Sequence, residues 1–185
     1  MKKIAITSTL LVLVGFAYGQ QNGASKSASQ NVSLTTHNIM EIAFVNTNGT
    51  NGNTVLLPFN TLSDYTQGVY STEQELRIRS NNKFGIEIKT NSQYFDYSGV
   101  SSPAPTMPVA EVLNIEVAAN STGGNLLPPF SQGKFVGLSD NNTSIMGDCK
   151  HGGNQRFSIK YKAAPGITYP VGNYSVDVIY TATQQ

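Results

Sequence analysis

The sequence predicts an all-β protein built as an antiparallel β-sandwich of seven to nine strands. Three observations carry that prediction. Apolar residues recur at every second position in most segments that lie between turn signals. Clusters of Gly, Pro, Asn and Ser separate those segments at short intervals. Charged residues make up only 12% of the chain, about half the usual share, so polar uncharged side chains must face the water between strands.

The chain opens "MKKIAITSTLLVLVGFAYGQ", with Lys2 and Lys3 ahead of an apolar stretch from Ile4 to Phe16 and small residues at Ala17 and Gly19. This is the layout of a signal peptide over residues 1–19 with cleavage before Gln20. The apolar stretch is too short to span a bilayer, which takes roughly 20 residues. No later segment is apolar enough to do so, so the chain is not expected to span a membrane. Export is therefore expected, with the protein in the periplasm, on the cell surface or outside the cell. Residues 20–30, "QQNGASKSASQ", carry no large apolar side chain and read as a flexible polar tail. Residues 31–185 read as a single sandwich domain, long enough to bury a core without disulfides or metal.

In "NVSLTTHNIMEIAFV", Val32 and Leu34 alternate with Ser33 and Thr35, and Met40, Ile42 and Phe44 alternate with Glu41 and Ala43. These read as two strand halves joined at His37-Asn38 by a bulge or a crossover. Residues 46–53 hold two Asn-Gly pairs and read as a loop, and "TVLLPF" reads as a short edge strand because Pro58 cannot donate to a ladder. Leu76 and Ile78 alternate with Glu75, Arg77 and Arg79; Phe84, Ile86 and Ile88 alternate with Gly85, Glu87 and Lys89. With Asn81-Asn82 between them, these two segments read as a hairpin. "QYFDYSG" extends its second arm, and "VSSPAPTMP" is a connection that cannot enter a sheet interior.

Residues 109–120, "VAEVLNIEVAAN", admit a helix or a strand. Their β-branched content and flanking prolines and glycines favour the strand. "KFVGLSD" reads as a short strand between loops, and "NNTSIMGDCKHGGN" as a loop with one more short strand at most. Phe157, Ile159 and Tyr161 alternate with Ser158, Lys160 and Lys162. After Ala164-Pro165-Gly166 the chain enters its best-formed alternation, Tyr174, Val176, Val178, Tyr180 and Ala182. The last two strands, 155–162 and 173–183, read as antiparallel neighbours. Many short strands with no repeat and no strong helix point to an immunoglobulin-like arrangement.

Composition excludes several functions. Removing Lys2 and Lys3 leaves 10 basic residues against 11 acidic ones, so no basic face is available for nucleic acid or for an acidic membrane. The two histidines, His37 and His151, lie far apart in sequence, and Cys149 is the single cysteine. Cys149-Lys150-His151 offers at most two metal ligands, where a zinc site needs three or four from the protein. The loop-like context "MGDCKHGGN" places Cys149 in an exposed loop. No nucleophile elbow, zincin helix or phosphate loop occurs, and the carboxylates are scattered along strand faces. The expectation is a protein without catalytic residues, metal or cofactor.

The strand problem is sharper. An exposed strand edge invites pairing by other chains, and proteins usually blunt it with charge or proline. Between Tyr174 and Gln185 the only charge is Asp177. The last strand is therefore expected to lie inside a sheet or to be paired on its second flank, by its own chain or by another.

"YPVGNYSVDVIYTATQQ" resembles the C-terminal end of chaperone–usher fimbrial (pilin-like) subunits of Gram-negative bacteria. Gly172, Asn173, Tyr174, Val176, Val178 and Tyr180 carry the likeness. The resemblance implies an incomplete immunoglobulin-like sandwich whose last strand is capped by a periplasmic chaperone, and then by the N-terminal extension of a neighbouring subunit. The contact strand would present Tyr174, Val176, Val178 and Tyr180. Because the tail at 20–30 is polar, Val32 and Leu34 are the candidate donor residues; if they instead form the domain's own first strand, the fold is self-complete. Unlike many such subunits, this chain can form no internal disulfide and has no aromatic residue after Tyr180.

The expected function is thus an exported, non-enzymatic structural or adhesive surface protein that self-associates or meets a chaperone by strand pairing. The alternative is a self-complete secreted module that binds a glycan through exposed aromatics. Its candidates are Tyr94 and Tyr97, which point to opposite sides of the "QYFDYSG" segment.

Overall fold

The computed structural model describes residues 26–45 and 54–185. The expected signal peptide, residues 20–25 of the tail and the Asn-Gly-rich loop at 46–53 lie outside the described residues. The chain divides into two units, Met1–Thr35 and Thr36–Gln185. Residues 26–35, described in the first, are exposed and carry no strand or helix.

Among the described residues of the second unit, twelve strands occur. In chain order they are β1 (Met40–Val45), β2 (Val69–Tyr70), β3 (Gln74–Ser80), β4 (Phe84–Thr90), β5 (Asp96–Ser98), β6 (Leu113–Asn120), β7 (Asn125–Leu126), β8 (Val136–Gly137), β9 (Thr143–Cys149), β10 (Gly152–Ala163), β11 (Asn173–Ser175) and β12 (Val178–Gln184). Seven of them have six residues or more; six of these fall in segments read as strands, whereas β9 runs through a segment read as a loop with one short strand at most. The other five have two or three residues each.

All pairings are antiparallel, and the fold is an all-β sandwich. One sheet has the order β1-β3-β10-β6-β8, with β2 also on β10; the other has the order β12-β4-β9-β7; a ribbon pairs β11 with β5. One buried cluster joins the inner faces of both sheets. Leu76, Ile78, Ile115, Val117, Phe157 and Ile159 come from the first, and Phe84, Ile86, Ile88, Ile145 and Met146 from the second. Burying each such side chain contributes roughly 1.5–3 kcal/mol before conformational entropy is counted.

Several expectations need correction. The predicted hairpin around Asn81-Asn82 is a corner between sheets: β3 pairs with β1 and β10, whereas β4 pairs with β12 and β9. Alternation gives each strand one apolar face. It does not say whether two such faces lie side by side in one sheet or look at each other across the core. For the same reason β10 and β12 are not neighbours but lie in opposite sheets. The terminal strand is also two strands, since β11 pairs with β5 and β12 with β4. The side-chain alternation runs through the break, with Tyr174, Val176, Val178, Tyr180 and Ala182 all half-buried.

Val32 and Leu34 are exposed and lie in no strand, and the first strand begins at Met40. "TVLLPF" also forms no strand, although Val55, Leu57 and Phe59 alternate inward onto the core. "QYFDYSG" does not extend β4 but contributes β5 to the separate ribbon.

One short helix escapes the sequence reading, and a second occupies the start of the 109–120 segment, where the strand was favoured over the helix. Leu62–Gln67 forms α1, started by a capping box in which Asp64 N donates to Thr61 Oγ1 and Thr61 N donates to Asp64 Oδ2. Val109–Val112 forms α2, a single turn that buries Val109 and Val112 before the chain extends into β6. Cys149 ends β9 and is fully buried, not looped out. Its Sγ accepts from Thr122 Oγ1 at 3.2 Å, which explains how a thiol in a polar sequence context is kept inside.

Candidate functional site

Among the described residues β12 is an edge strand that pairs with β4 alone, so it does not lie inside a sheet of its own chain, which was one of the alternatives expected for it. Asn91 N donates to Asp177 O and Gln185 N donates to Lys83 O. The odd-numbered residues of this segment therefore direct their backbone groups at β4. By the alternation of an antiparallel ladder, the even-numbered residues turn theirs to the other flank. Val178, Tyr180 and Ala182 thus face the core with their side chains and the open flank with their N–H and C=O groups. No partner strand occupies that flank among the described residues. β12 itself, "VIYTATQ", contains no charge and no proline; Asp177 lies just before it, within hydrogen-bonding reach of Asn91 Nδ2 at 3.3 Å.

The edge of the other sheet, β1, lies across from β12. The Phe44 and Tyr180 rings meet edge-on with centroids 5.9 Å apart. Inward residues of both edge strands are only half-buried: Met40, Ile42 and Phe44 on β1, and Val178, Tyr180 and Ala182 on β12. Their neighbours Leu76 and Ile78 on β3, and Phe84, Ile86 and Ile88 on β4, are fully buried. Among the described residues the two sheets therefore share an incompletely covered side, bounded by the edge strands β1 and β12.

One end of this side is closed by amide side chains. Gln184 Nε2 donates to Ile39 O at 3.0 Å, to Ser80 Oγ at 3.1 Å and to Asn81 Oδ1 at 3.2 Å. Asn81 in turn accepts from Ile39 N and donates to His37 O. Sequence reasoning missed Gln184 and Asn81 as partners. The inward parity of Gln184 on its strand was the one signal available. The middle of the side is tied by tyrosine hydroxyls, Tyr161 on β10 and Tyr180 on β12, 2.8 Å apart. Burial pushes the Tyr161 phenol up to about 12 and raises Tyr180 well above its usual value, so both stay neutral and hydrogen-bonded.

The aromatic candidates fall at the opposite end of β12, where it joins β11. Tyr97 and Tyr174 face each other across the ribbon, ring centroids 5.0 Å apart. Tyr97 is half-buried and its hydroxyl is engaged twice, donating to Val171 O at 3.0 Å and accepting from Ser101 N at 3.1 Å. A Cβ at Gly172 would lie 2.3 Å from the Tyr97 ring, so glycine there lets ring and backbone touch. Tyr94 is exposed and borders a shallow cleft of about 280 Å³ with Gln93, Pro108, Glu111, Ser139 and Asp140. The structure thus separates Tyr94 from Tyr97 in exposure and hydrogen bonding, and separates Tyr174 from Val178 and Tyr180 in pairing.

Other chemistry is dispersed. Among the described residues, no three His, Cys, Asp or Glu side chains come together to hold a metal ion. Cys149 is buried with its thiol pushed up by burial, while His37 and His151 are exposed. Ion pairs lie on the outer face of the first sheet, Arg79 with Glu41 and Arg156 with Glu75. No helix among the described residues is long and apolar enough to cross a membrane. No protein-family model matches the chain, and no curated protein matches it in sequence.

Proposed function

We propose that the protein is an exported, non-enzymatic structural or adhesive surface subunit that assembles by strand addition. The acceptor is the open flank of β12, and the sandwich is of the incomplete immunoglobulin-like kind that the C-terminal resemblance implies. One observation carries this reading: among the described residues β12 is unpaired on one side and unblunted, while the core residues beneath it are only half covered. An added strand would satisfy the outward N–H and C=O groups of Val178, Tyr180 and Ala182. Each new backbone hydrogen bond contributes about 0.5–1.5 kcal/mol, and apolar side chains of the added strand would cover Phe44 and Tyr180. Strand addition is an established mode of recognition that takes affinity from the backbone and specificity from alternate side chains.

Val32 and Leu34 are the proposed donor residues, supplied by a second copy. They are exposed and unpaired into any strand, and their spacing of two matches the alternation a donor needs. The glycan reading is less well supported: Tyr97 is held by its own loops, which leaves Tyr94 as the exposed aromatic.

The test compares the chain from Gln20 onward with a Val32→Asp/Leu34→Asp variant. The parent should form oligomers that persist in mild denaturant, and the variant should remain monomeric with an intact fold. A parent chain that is strictly monomeric and unfolds in one reversible step would sink the proposal. So would a variant that assembles as well as the parent.

A further inference from the structure

The outer face of the first sheet carries a charge that its own ion pairs leave unanswered. The chain has three arginines, and all three lie on this face, Arg77 and Arg79 on β3 and Arg156 on β10. Arg77 stands directly opposite Arg156 in the β3–β10 ladder and opposite Ala43 in the β1–β3 ladder. Like charges directly opposite each other destabilise a sheet. Two glutamates relieve the neighbours: Arg156 pairs with Glu75, and Arg79 with Glu41. Arg77 pairs with neither.

Residues 1–25 and 46–53 contain no Asp or Glu, so all eleven acidic residues of the chain are among the described ones. Arg77 forms an ion pair with none of them. It is partly buried, where Arg79 is exposed. Its Nε is fully buried and, among the described residues, is the one buried side-chain nitrogen or oxygen with no hydrogen-bond partner. A partly buried guanidinium without a counter-charge costs free energy, and a sealed, orphaned donor adds to that cost. Folded proteins satisfy nearly all such groups, and an exception calls for a physical reason.

We propose that Arg77 anchors a binding site for a ligand that carries a single carboxylate. Three arginines against Glu41 and Glu75 leave one positive charge on this part of the face, which suits one monoanionic group and not a polyanion. The guanidinium fork matches a planar carboxylate with two parallel hydrogen bonds. Because Nε is sealed, those bonds come from the two terminal nitrogens. Ala43, opposite on β1, carries only a methyl group, so no long side chain stands over Arg77 from that strand. Arg156 is committed elsewhere, to Glu75 and through its Nε to Asn154 Oδ1 at 2.8 Å. It adds positive potential beside the ligand without competing to hold it. The site lies on the face of β3 turned away from the core, so this inference does not depend on strand addition at β12.

The experiment is a titration of the folded chain with sodium acetate at constant ionic strength, chloride making up the balance, followed by NMR of the arginine Nε–H groups. Three arginines give three signals. The Arg77 signal should move saturably, and those of Arg79 and Arg156 far less. Glucuronate and N-acetylglycine, each with one carboxylate, then distinguish a sugar acid from a peptide terminus as the source; tighter binding of either upholds the site and names its ligand. Arg77→Gln should weaken binding about tenfold or more, and should melt no lower than the parent because it removes the like-charge pair. Arg77→Lys keeps the charge without the fork and should bind as weakly as Arg77→Gln. The proposal is overturned if the Arg77 signal stays still, if chloride alone moves it as far, or if Arg77→Lys binds acetate as well as the parent does.

Discussion

The hydroxyls of Tyr161 and Tyr180 lie 2.8 Å apart, one from each sheet. Tyr161 is buried on the inner strand β10, while Tyr180 sits on the edge strand β12 and also meets Phe44 and Phe157. The bond fixes the spacing of the two layers at the one side where strands do not cover them fully. It lets an edge strand stay in place without a second pairing partner, so the open flank is supported from below and not from beside.

Stability should therefore fall at high pH. Both phenols are raised above their unfolded values, Tyr161 to about 12. A raised acid contributes stability that is complete below the unfolded value near 10 and is lost as pH climbs through the folded one. Unfolding free energy should decline from about pH 10 toward pH 12 with a limiting slope of roughly 1.4 kcal/mol per pH unit for each tyrosine. Denaturant titrations at stepped pH measure it, and Tyr180→Phe should flatten the decline. An equal slope in parent and variant would show that the pair is not responsible.

Gln184 should matter more than a near-terminal residue usually does. Its amide reaches Ile39 O, Ser80 Oγ and Asn81 Oδ1, bridging the end of β12 to the start of β1. Gln184→Ala should cost about 0.5–1.5 kcal/mol and speed hydrogen exchange at the amides of Ile39 and Asn81, with β6 unchanged. If strand addition proceeds through this side, the same change should accelerate oligomer formation. Exchange that rises evenly over the whole fold would refute the local role.

How much was legible follows from what period-two alternation encodes. It locates strands such as Phe84–Thr90 and Phe157–Tyr161, because each must keep one apolar face. It is blind to partners: Leu76, Ile78, Phe84 and Ile86 alternate identically whether β3 and β4 form a hairpin or oppose each other across a core. The edge position of β12 was hidden for the same reason. α1 could have been found, since Thr61 and Asp64 have capping-box spacing, but Leu62, Ser63, Tyr65 and Thr66 offer no apolar stripe to draw attention to it. Burial of Cys149 depends on Thr122, distant in sequence, and Tyr97 was recognised as an aromatic without any sign of its bonds to 101 and 171.

Cys149 should be inert in the native state. It is buried, its thiol is raised by burial, and Thr122 donates to it. A thiol reagent should label it only at the rate of unfolding. The site is also tight: a Cβ at Gly124 would lie 2.6 Å from Cys149 Sγ and 2.6 Å from Gly147 O. Gly124→Ala should destabilise by about 1–3 kcal/mol through overpacking, and should make the thiol more reactive by opening the end of β9. Rapid labelling of the folded parent would contradict the buried placement.

Gly172→Ala separates the ribbon from the sandwich. The new methyl carbon would stand 2.3 Å from one Tyr97 ring carbon and 3.1 Å from its hydroxyl, so the ring must move. Moving it breaks the bonds to Val171 O and Ser101 N together, while the ladders of β4 and β10 do not involve Tyr97. The expected result is hydrogen exchange that quickens at Ser101 and along β5 and β11, with the amides of β4, β9 and β10 as protected as before. If the β11–β12 junction transmits the change, Val178 will exchange faster as well, because β12 continues directly from β11 through Val176 and Asp177. Bonds from Asn91 to Asp177 anchor that junction independently, with Asp177 N donating to Asn91 Oδ1 at 3.0 Å. Protection should therefore recover at β12, and a loss extending along its whole length would mean that the edge strand is held by the ribbon and not by Tyr161 and Gln184.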